Sequence, residues 1–389
     1  MSSLAAIDAL LSKAARAGEV PGVVALAANA KGLLYEGAFG SLRLPDGAPM
    51  RLDSIFWIAS LTKALTAVAA MQLVEEGQLG LDQPIGAFIP QLAVPQVLDG
   101  FASDGSPRLR PARSAVTLRN LLTHTSGFAY ENWNADMRRY LEATGLPAAG
   151  TRRLAALGVP LMFEPGERWE YGIGIDWVGR VIEAASGKRL DAYFAERIFA
   201  PLGMKDSAYG LRPEQTARMA QVHVRGSDGR LAAIVREPPA VTEFYPGGGS
   251  LYSTARDYMT FLRMLLGHGQ LGPARILRPE TVALMSQNQI GELQAGRLIS
   301  VAPTMSNDFL PPRGIRHGWG LSFLINRDDL PGRRSAGSLA WAGMGNCYYW
   351  LDSKHAIAGL LLTQILPFAD RIVLDLFEAF EREVYAGLA

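Results

Sequence analysis

Phe56-Trp57-Ile58-Ala59-Ser60-Leu61-Thr62-Lys63-Ala64-Leu65-Thr66-Ala67-Val68-Ala69-Ala70 holds one charged residue, Lys63. Leu61, Leu65, Val68, Ala69, Leu73 and Val74 recur at helical spacing and Gly77 supplies a stop, so the stretch predicts a helix over 60–76 that begins at Ser60. Its surface is suited to packing, where an unpaired cation is costly. Lysine is also this chain's exception: six of the 38 basic residues are lysine and the rest are arginine. Lysine, unlike arginine, can give up its proton in an apolar setting. Ser60 stands three residues before Lys63, and positions i and i+3 share a helix face, so the amine reaches the hydroxyl. A serine hydroxyl is a weak nucleophile until a base takes its proton, and a helix start favours the negative charge that develops. Read alone, the pair is equally a serine beside a snorkelling surface lysine.

Two other segments bear on that choice. Tyr171 follows Glu167-Arg168-Trp169-Glu170 and precedes Gly172-Ile173-Gly174, a glycine-rich turn before a helix, which presents a phenol as a second proton-transfer group. Leu339-Ala340-Trp341-Ala342-Gly343-Met344 reads as a strand of small residues that a ligand can approach closely, or simply as a tight core strand.

Outward from these segments, Pro21 to Ala28 and Leu33 to Phe39 flank a turn and predict an N-terminal hairpin. The stretches 319–325, 339–351 and 356–364 read as strands, and 253–266, 279–287 and 370–385 as helices. Strands at both ends imply one sheet built from both termini. The intervening residues read as short helices (117–122, 177–185, 190–199) with few strands, and 99–113 as a surface loop. The expected division is a discontinuous sheet domain, 1–80 with 241–389, and a helical insertion, 81–240.

Composition narrows the function. The 389 residues are 49% hydrophobic and 19% charged, enough for a large core. Thirty-eight basic against 37 acidic residues give a net charge of +1, which offers no global field for nucleic acid or an anionic membrane. Cys347 is the one cysteine, and five scattered histidines show no zinc-site spacing, so no metal or other cofactor is expected. The first sixteen residues read as an amphipathic helix rather than a signal peptide, and no apolar run is long enough to span a bilayer, so a soluble cytoplasmic protein is expected.

The ordered landmarks Phe56 to Lys63, Leu121-Leu-Thr-His-Thr-Ser-Gly127, Tyr171 with Asp176, Gly247-Gly-Gly-Ser-Leu-Tyr-Ser-Thr254 and Trp341-Ala-Gly343 resemble the serine β-lactamase and penicillin-binding-protein superfamily, most closely its family VIII carboxylesterase branch, related to class C β-lactamases. The resemblance spans nearly the whole chain. It implies an α/β (α+β) fold, an antiparallel sheet flanked by terminal helices with a helical insertion, and the site at their junction. It assigns Ser60 as the acylated nucleophile, Lys63 as its base, Tyr171 as the second proton-transfer group, and the backbone N–H groups of Ser60 and Met344 as the oxyanion hole, whose donors meet charge that appears only in the tetrahedral state. Trp341, Ala342 and Gly343 match the third motif, with Ala342 where glycine is usual.

Two departures set the chain apart from the β-lactamases, which carry lysine at the position of Trp341 and asparagine at that of Ile173. Without those contacts to a β-lactam's carboxylate and amide, a neutral, apolar small-molecule ester is the expected substrate, with weak cephalosporin turnover at most. Tyr130, Trp133, Phe244 and Tyr245 are candidate pocket walls. The alternatives are a D-amino-acid amidase or peptidase, a β-lactamase, or a catalytically silent ligand-binding member. Other signals carry less. Gly267-His-Gly269-Gln-Leu-Gly272 follows a helix and reads as its stop, no Gly-x-Ser-x-Gly elbow is present, His124 reads as structural, and Glu164, Glu167 and Glu170 read as a solvated loop.

Overall fold

The computed structural model describes residues 3–236, 241–311 and 314–388. Its main sheet has seven strands in the spatial order His317–Trp319, Leu324–Asn326, Leu339–Gly343, Cys347–Asp352, Ile357–Leu362, Gly22–Asn29, Leu33–Gly40. Every pairing is antiparallel. Gly22–Asn29 lies beside Ile357–Leu362, with Val24 opposite Leu362, so the sheet closes across the two ends of the chain as the sequence implied. The N-terminal hairpin turns at Asn29, whose side-chain oxygen accepts the N–H groups of Lys31 and Gly32, the local bond that makes asparagine a turn residue.

Helices Ser3–Arg16 and Arg371–Ala386 pack on each other over the sheet. The second is tied down by Glu381, fully buried and bonded through both oxygens to the Arg334 guanidinium. Ala255–Leu266 packs on the strands Gly22–Asn29 and Ile357–Leu362. Helix Thr62–Glu75 is buried from Thr62 to Leu73, all round rather than on one stripe, and packs against the helices Gly174–Ser186 and Leu190–Phe194. Among the described residues no helix is long and apolar enough to cross a membrane.

Three expectations need correction. The runs 319–325 and 339–351 are not single strands: each is two strands joined by a tight turn, at Gly320 to Phe323 and at Met344 to Asn346, where Ser322 (φ 72°) and Asn346 (φ 59°) adopt the left-handed conformation. The segment 99–113 is not a loop but most of a hairpin, Gln96–Phe101 with Pro107–Pro111, turning at Asp104-Gly105. Glu164 is not solvated. It is buried and holds Arg110, the Arg113 guanidinium and the Arg113 N–H, fastening that hairpin to the segment ahead of Tyr171.

Candidate active site

A two-stranded ribbon sets up the site. Ile55–Trp57 pairs antiparallel with Tyr252–Thr254, so the approach to Ser60 and the exit from Gly247 to Ser250 run side by side. The chain then turns sharply at Ala59, whose φ of 47° costs a residue with a Cβ about 1–2 kcal/mol. Ser60 sits in the 3-10 turn Ala59–Leu61 that runs into helix Thr62–Glu75. The strained turn is clamped by the Thr62 hydroxyl donating to the Ala59 carbonyl at 2.6 Å and by the Tyr258 hydroxyl donating to the Leu61 carbonyl at 2.9 Å.

Lys63 is wholly buried, which excludes the snorkelling reading. Its Nζ lies 3.1 Å from Ser60 Oγ, 3.2 Å from the Tyr130 hydroxyl and 2.6 Å from the Gly248 carbonyl oxygen. An ammonium has three N–H groups for these three neighbours. A neutral amine has two, which the Gly248 carbonyl and the Tyr130 oxygen can take, leaving its lone pair for the Ser60 hydroxyl. Gly248 has no room for a side chain: a Cβ would meet the Tyr130 hydroxyl at 2.8 Å, Asp176 Oδ1 at 3.0 Å and Lys63 Nζ at 3.2 Å.

Asp176 Oδ1 accepts the Gly248 N–H at 2.7 Å, so one residue receives the lysine on its carbonyl and the aspartate on its N–H. Burial raises the Asp176 carboxyl to about 6, with the Lys63 charge and the Gly248 N–H pulling the other way. The acid is therefore ionised above that pH and neutral below it. We expect kcat/KM to fall as pH drops through about 6, where the lysine loses its anionic neighbour. Asp176→Asn keeps an acceptor for Gly248, loses about tenfold at neutral pH and removes that acidic limb. A limb unchanged in the variant would assign it to another group.

Tyr171 is placed differently from Tyr130. Its ring, not its hydroxyl, faces the lysine, with Nζ 4.7 Å from the ring centroid. The Tyr171 hydroxyl accepts the Trp341 indole N–H at 3.2 Å. His124 supports this ring from behind, at 4.7 Å between centroids, and its Nδ1 accepts the Gly172 N–H. Burial first, and the Lys63 charge second, hold the imidazole well below its ordinary value, so it stays neutral. Burial pushes the Tyr130 phenol well above its ordinary value, so that hydroxyl keeps its proton.

The cleft in front of Ser60 has a volume of about 430 Å³ and is lined among others by Trp57, Tyr130, Glu131, Trp133, Tyr171, Asp176, Arg236, Ser250 and Met344. Tyr130 and Trp133 thus lie in the wall of this cleft. Phe244 and Tyr245 do not. They face a separate cavity with Arg180 and Lys188, because the chain reaches the cleft only from Pro246 onward, where the Tyr209 hydroxyl anchors the Pro246 carbonyl. Trp341, Ala342 and Gly343 do not line the cleft either. Trp341 is packed between Tyr171, Trp319 and Phe309, Ala342 borders a small cavity with Leu324, and Gly343 lies under the Ile58 carbonyl. Met344 heads the turn after that strand and reaches the cleft opposite Ser60. Cys347 is buried, its thiol pushed up to about 12, which suits an inert small apolar residue. Sequence reasoning missed the polar contacts of Tyr130, the Asp176 to Gly248 link and Arg236.

An antiparallel sheet made from both chain ends, with a serine and a buried lysine at the foot of the helix beside it, is the architecture of the β-lactamase-like serine acyl-transfer enzymes. The chain belongs to the β-lactamase family, whose model matches residues 7–381. It is similar to the monacolin J acid methylbutanoyltransferase of Aspergillus terreus, 34% identical over 98% of this chain and 95% of the relative. It is also similar to the lovastatin esterase of Penicillium rubens, 32% identical over 97% of this chain and 98% of the relative. The solved structure of unliganded simvastatin synthase from Aspergillus terreus superposes with a TM-score of 0.87 at 32% identity, covering 99% of this chain and 98% of that one. These relatives are acyltransferases and esterases that act on small molecules, and the fold is the one they share.

Proposed function

We propose that the chain is a serine carboxylesterase that hydrolyses short-chain acyl esters through an acyl-enzyme on Ser60. The observation that carries the reading is the buried Lys63 amine 3.1 Å from Ser60 Oγ, with its other two neighbours both able to accept hydrogen bonds. Ser60 Oγ attacks the ester carbonyl carbon as its proton passes to Lys63. The carbonyl oxygen takes the negative charge against the N–H groups of Ser60 and Met344. The C–O bond to the alcohol then breaks, and the leaving alkoxide takes the proton back from Lys63; Tyr171, whose ring lies against the lysine, is proposed to assist this transfer from its place beside the cleft. A water molecule repeats the sequence on the acyl-Ser60 carbonyl and frees the acid. The division into 1–80 with 241–389 and 81–240 belongs to the same proposal, since Ser60, Lys63 and Met344 come from the first part and Tyr130, Tyr171 and Asp176 from the second.

A second reading is acyl transfer to an alcohol in place of water, favoured by relatives named for methylbutanoyl transfer. The two differ only in which hydroxyl reaches the acyl-enzyme. Hydrolysis of p-nitrophenyl acetate and butyrate, beside a chromogenic cephalosporin and with or without added butanol, tests both. We expect the esters to exceed the cephalosporin by about 100-fold or more in kcat/KM, the combined worth of two missing polar contacts. Butyl ester appearing faster than free acid would move the reading to transfer. Cephalosporin cleavage equal to ester cleavage would overturn it in favour of a β-lactamase.

A further inference from the structure

Arg236 lines the Ser60 cleft, half-buried, with its guanidinium carbon 3.8 Å above the centre of the Trp57 ring. Trp57 leads into the nucleophile turn, and the ribbon places it opposite Tyr252, whose hydroxyl accepts from Arg236 Nη1 at 3.2 Å. Among the described residues no carboxylate pairs with Arg236. Behind it Arg152 is buried, held at a left-handed φ of 57°, its Nε without a partner and likewise with no carboxylate. Each of the two arginines feels the aromatic hydroxyl of Tyr252, and Arg152 adds a second positive charge beside Arg236. Other arginines this deep are matched: Arg334 with Glu381, Arg225 with Asp370, Arg333 with Glu378.

A guanidinium stays charged at any working pH, so Arg236 and Arg152 hold two positive charges in a confined place with no counterion among the described residues. The carboxyls that share the cleft, Glu131 and Asp176, do not approach Arg236, and burial pushes both toward their neutral forms. Among the described residues Arg236 thus has no anion to bond, and a flat donor fork stacked on an indole is shaped to take a carboxylate edge-on.

We infer that Arg236 is the carboxylate-binding residue of the Ser60 cleft and that the substrate is an ester bearing a free carboxylate. This departs from the neutral, apolar ester expected from the sequence, and it rests on the hydrolase reading above. Charge at the substrate also accounts for the stacked Trp57, which fixes the fork before the ligand arrives and lowers the ordering cost of binding.

The test compares, by pH-stat, mono-p-nitrophenyl succinate with its methyl ester and O-butyrylglycolate with its methyl ester, in the wild type, Arg236→Gln and Arg236→Lys. The first pair puts the carboxylate on the acyl side and the second on the alcohol side. We expect one anionic ester to exceed its own neutral partner in kcat/KM by about 10- to 100-fold, the worth of a charge-assisted hydrogen bond. The ratio should collapse in Arg236→Gln through KM and return in part in Arg236→Lys. Taking the ratio within each protein cancels any general loss of folding. No anionic preference in the wild type, or a preference that survives Arg236→Gln, overturns the inference. If none of the four esters is cleaved, the hydrolase reading fails, and calorimetry with glutarate and dimethyl glutarate decides the site separately. Glutarate binding lost in Arg236→Gln supports the carboxylate site; glutarate binding no tighter than its dimethyl ester overturns it.

Discussion

Lys63→Met leaves a folded protein whose ester kcat is lower by about 10⁴-fold or more. The substitution is chosen for what it preserves. Methionine matches the length of the lysine stem, has similar helix propensity and suits the apolar surroundings of helix Thr62–Glu75. What disappears is the amine between Ser60 Oγ, the Tyr130 hydroxyl and the Gly248 carbonyl. Ser60 then keeps its proton, and the remaining rate is what the cleft and the oxyanion donors supply unaided. Ser60→Ala should fall to the same floor, and the double variant no further, because the two residues act as one unit. Methionine puts no polar group in need of partners at this buried position, so Lys63→Met should melt at or above the wild-type temperature while being inactive. Steady-state turnover of p-nitrophenyl butyrate with a thermal melt checks both halves. A variant retaining more than about 1% of kcat would show that another group deprotonates Ser60.

The sequence disclosed this pair because serine and lysine three residues apart on a helix must meet, whatever the rest of the fold does. It disclosed less wherever partners come from distant segments. Tyr130 reads as an aromatic wall, and its hydroxyl contact to Lys63 depends on how two loops are brought together around Gly248. Arg236 belongs to no motif, and what marks it in three dimensions is its stacking on Trp57 with no carboxylate partner among the described residues. The sheet was legible in its closure across the termini but not in its turns. A continuous apolar run from Leu339 to Leu351 hides the reversal at Gly345-Asn346, since both strands are buried on both faces and show no alternation. Asp104-Gly105, by contrast, is a strong hairpin signal that stood in view, overshadowed by the polar residues around it. Phe244 and Tyr245 failed as walls for a related reason: neighbourhood in sequence to Gly247 says nothing of the bend at Pro246.

Gly343→Ala should lower kcat by about 10²- to 10³-fold while KM changes little, the largest loss expected from adding a single methyl group. Gly343 ends the strand Leu339–Gly343 where it presses on the backbone ahead of the nucleophile. A Cβ there would stand 2.4 Å from the Ile58 carbonyl oxygen and 3.1 Å from Leu61 Cδ1. The first contact is with backbone, so no rotamer change relieves it, and the strand or the nucleophile turn must shift. Neither can move freely. Ile58 is held by its N–H to the Leu251 carbonyl at 2.9 Å, and the Gly343 carbonyl receives the Asn346 N–H at 2.9 Å. The shift therefore separates Ser60 from Met344, the two backbone donors proposed to meet the oxyanion. A hydrogen bond aimed at charge that exists only in the tetrahedral state affects kcat rather than ground-state binding, which fixes the direction of the KM and kcat split. Ala342 provides the internal control, since its methyl group lies away from the cleft and Ala342→Gly should leave kcat within about threefold. Equal losses in the two variants would mean that strand flexibility, not the spacing of Ser60 and Met344, governs the rate.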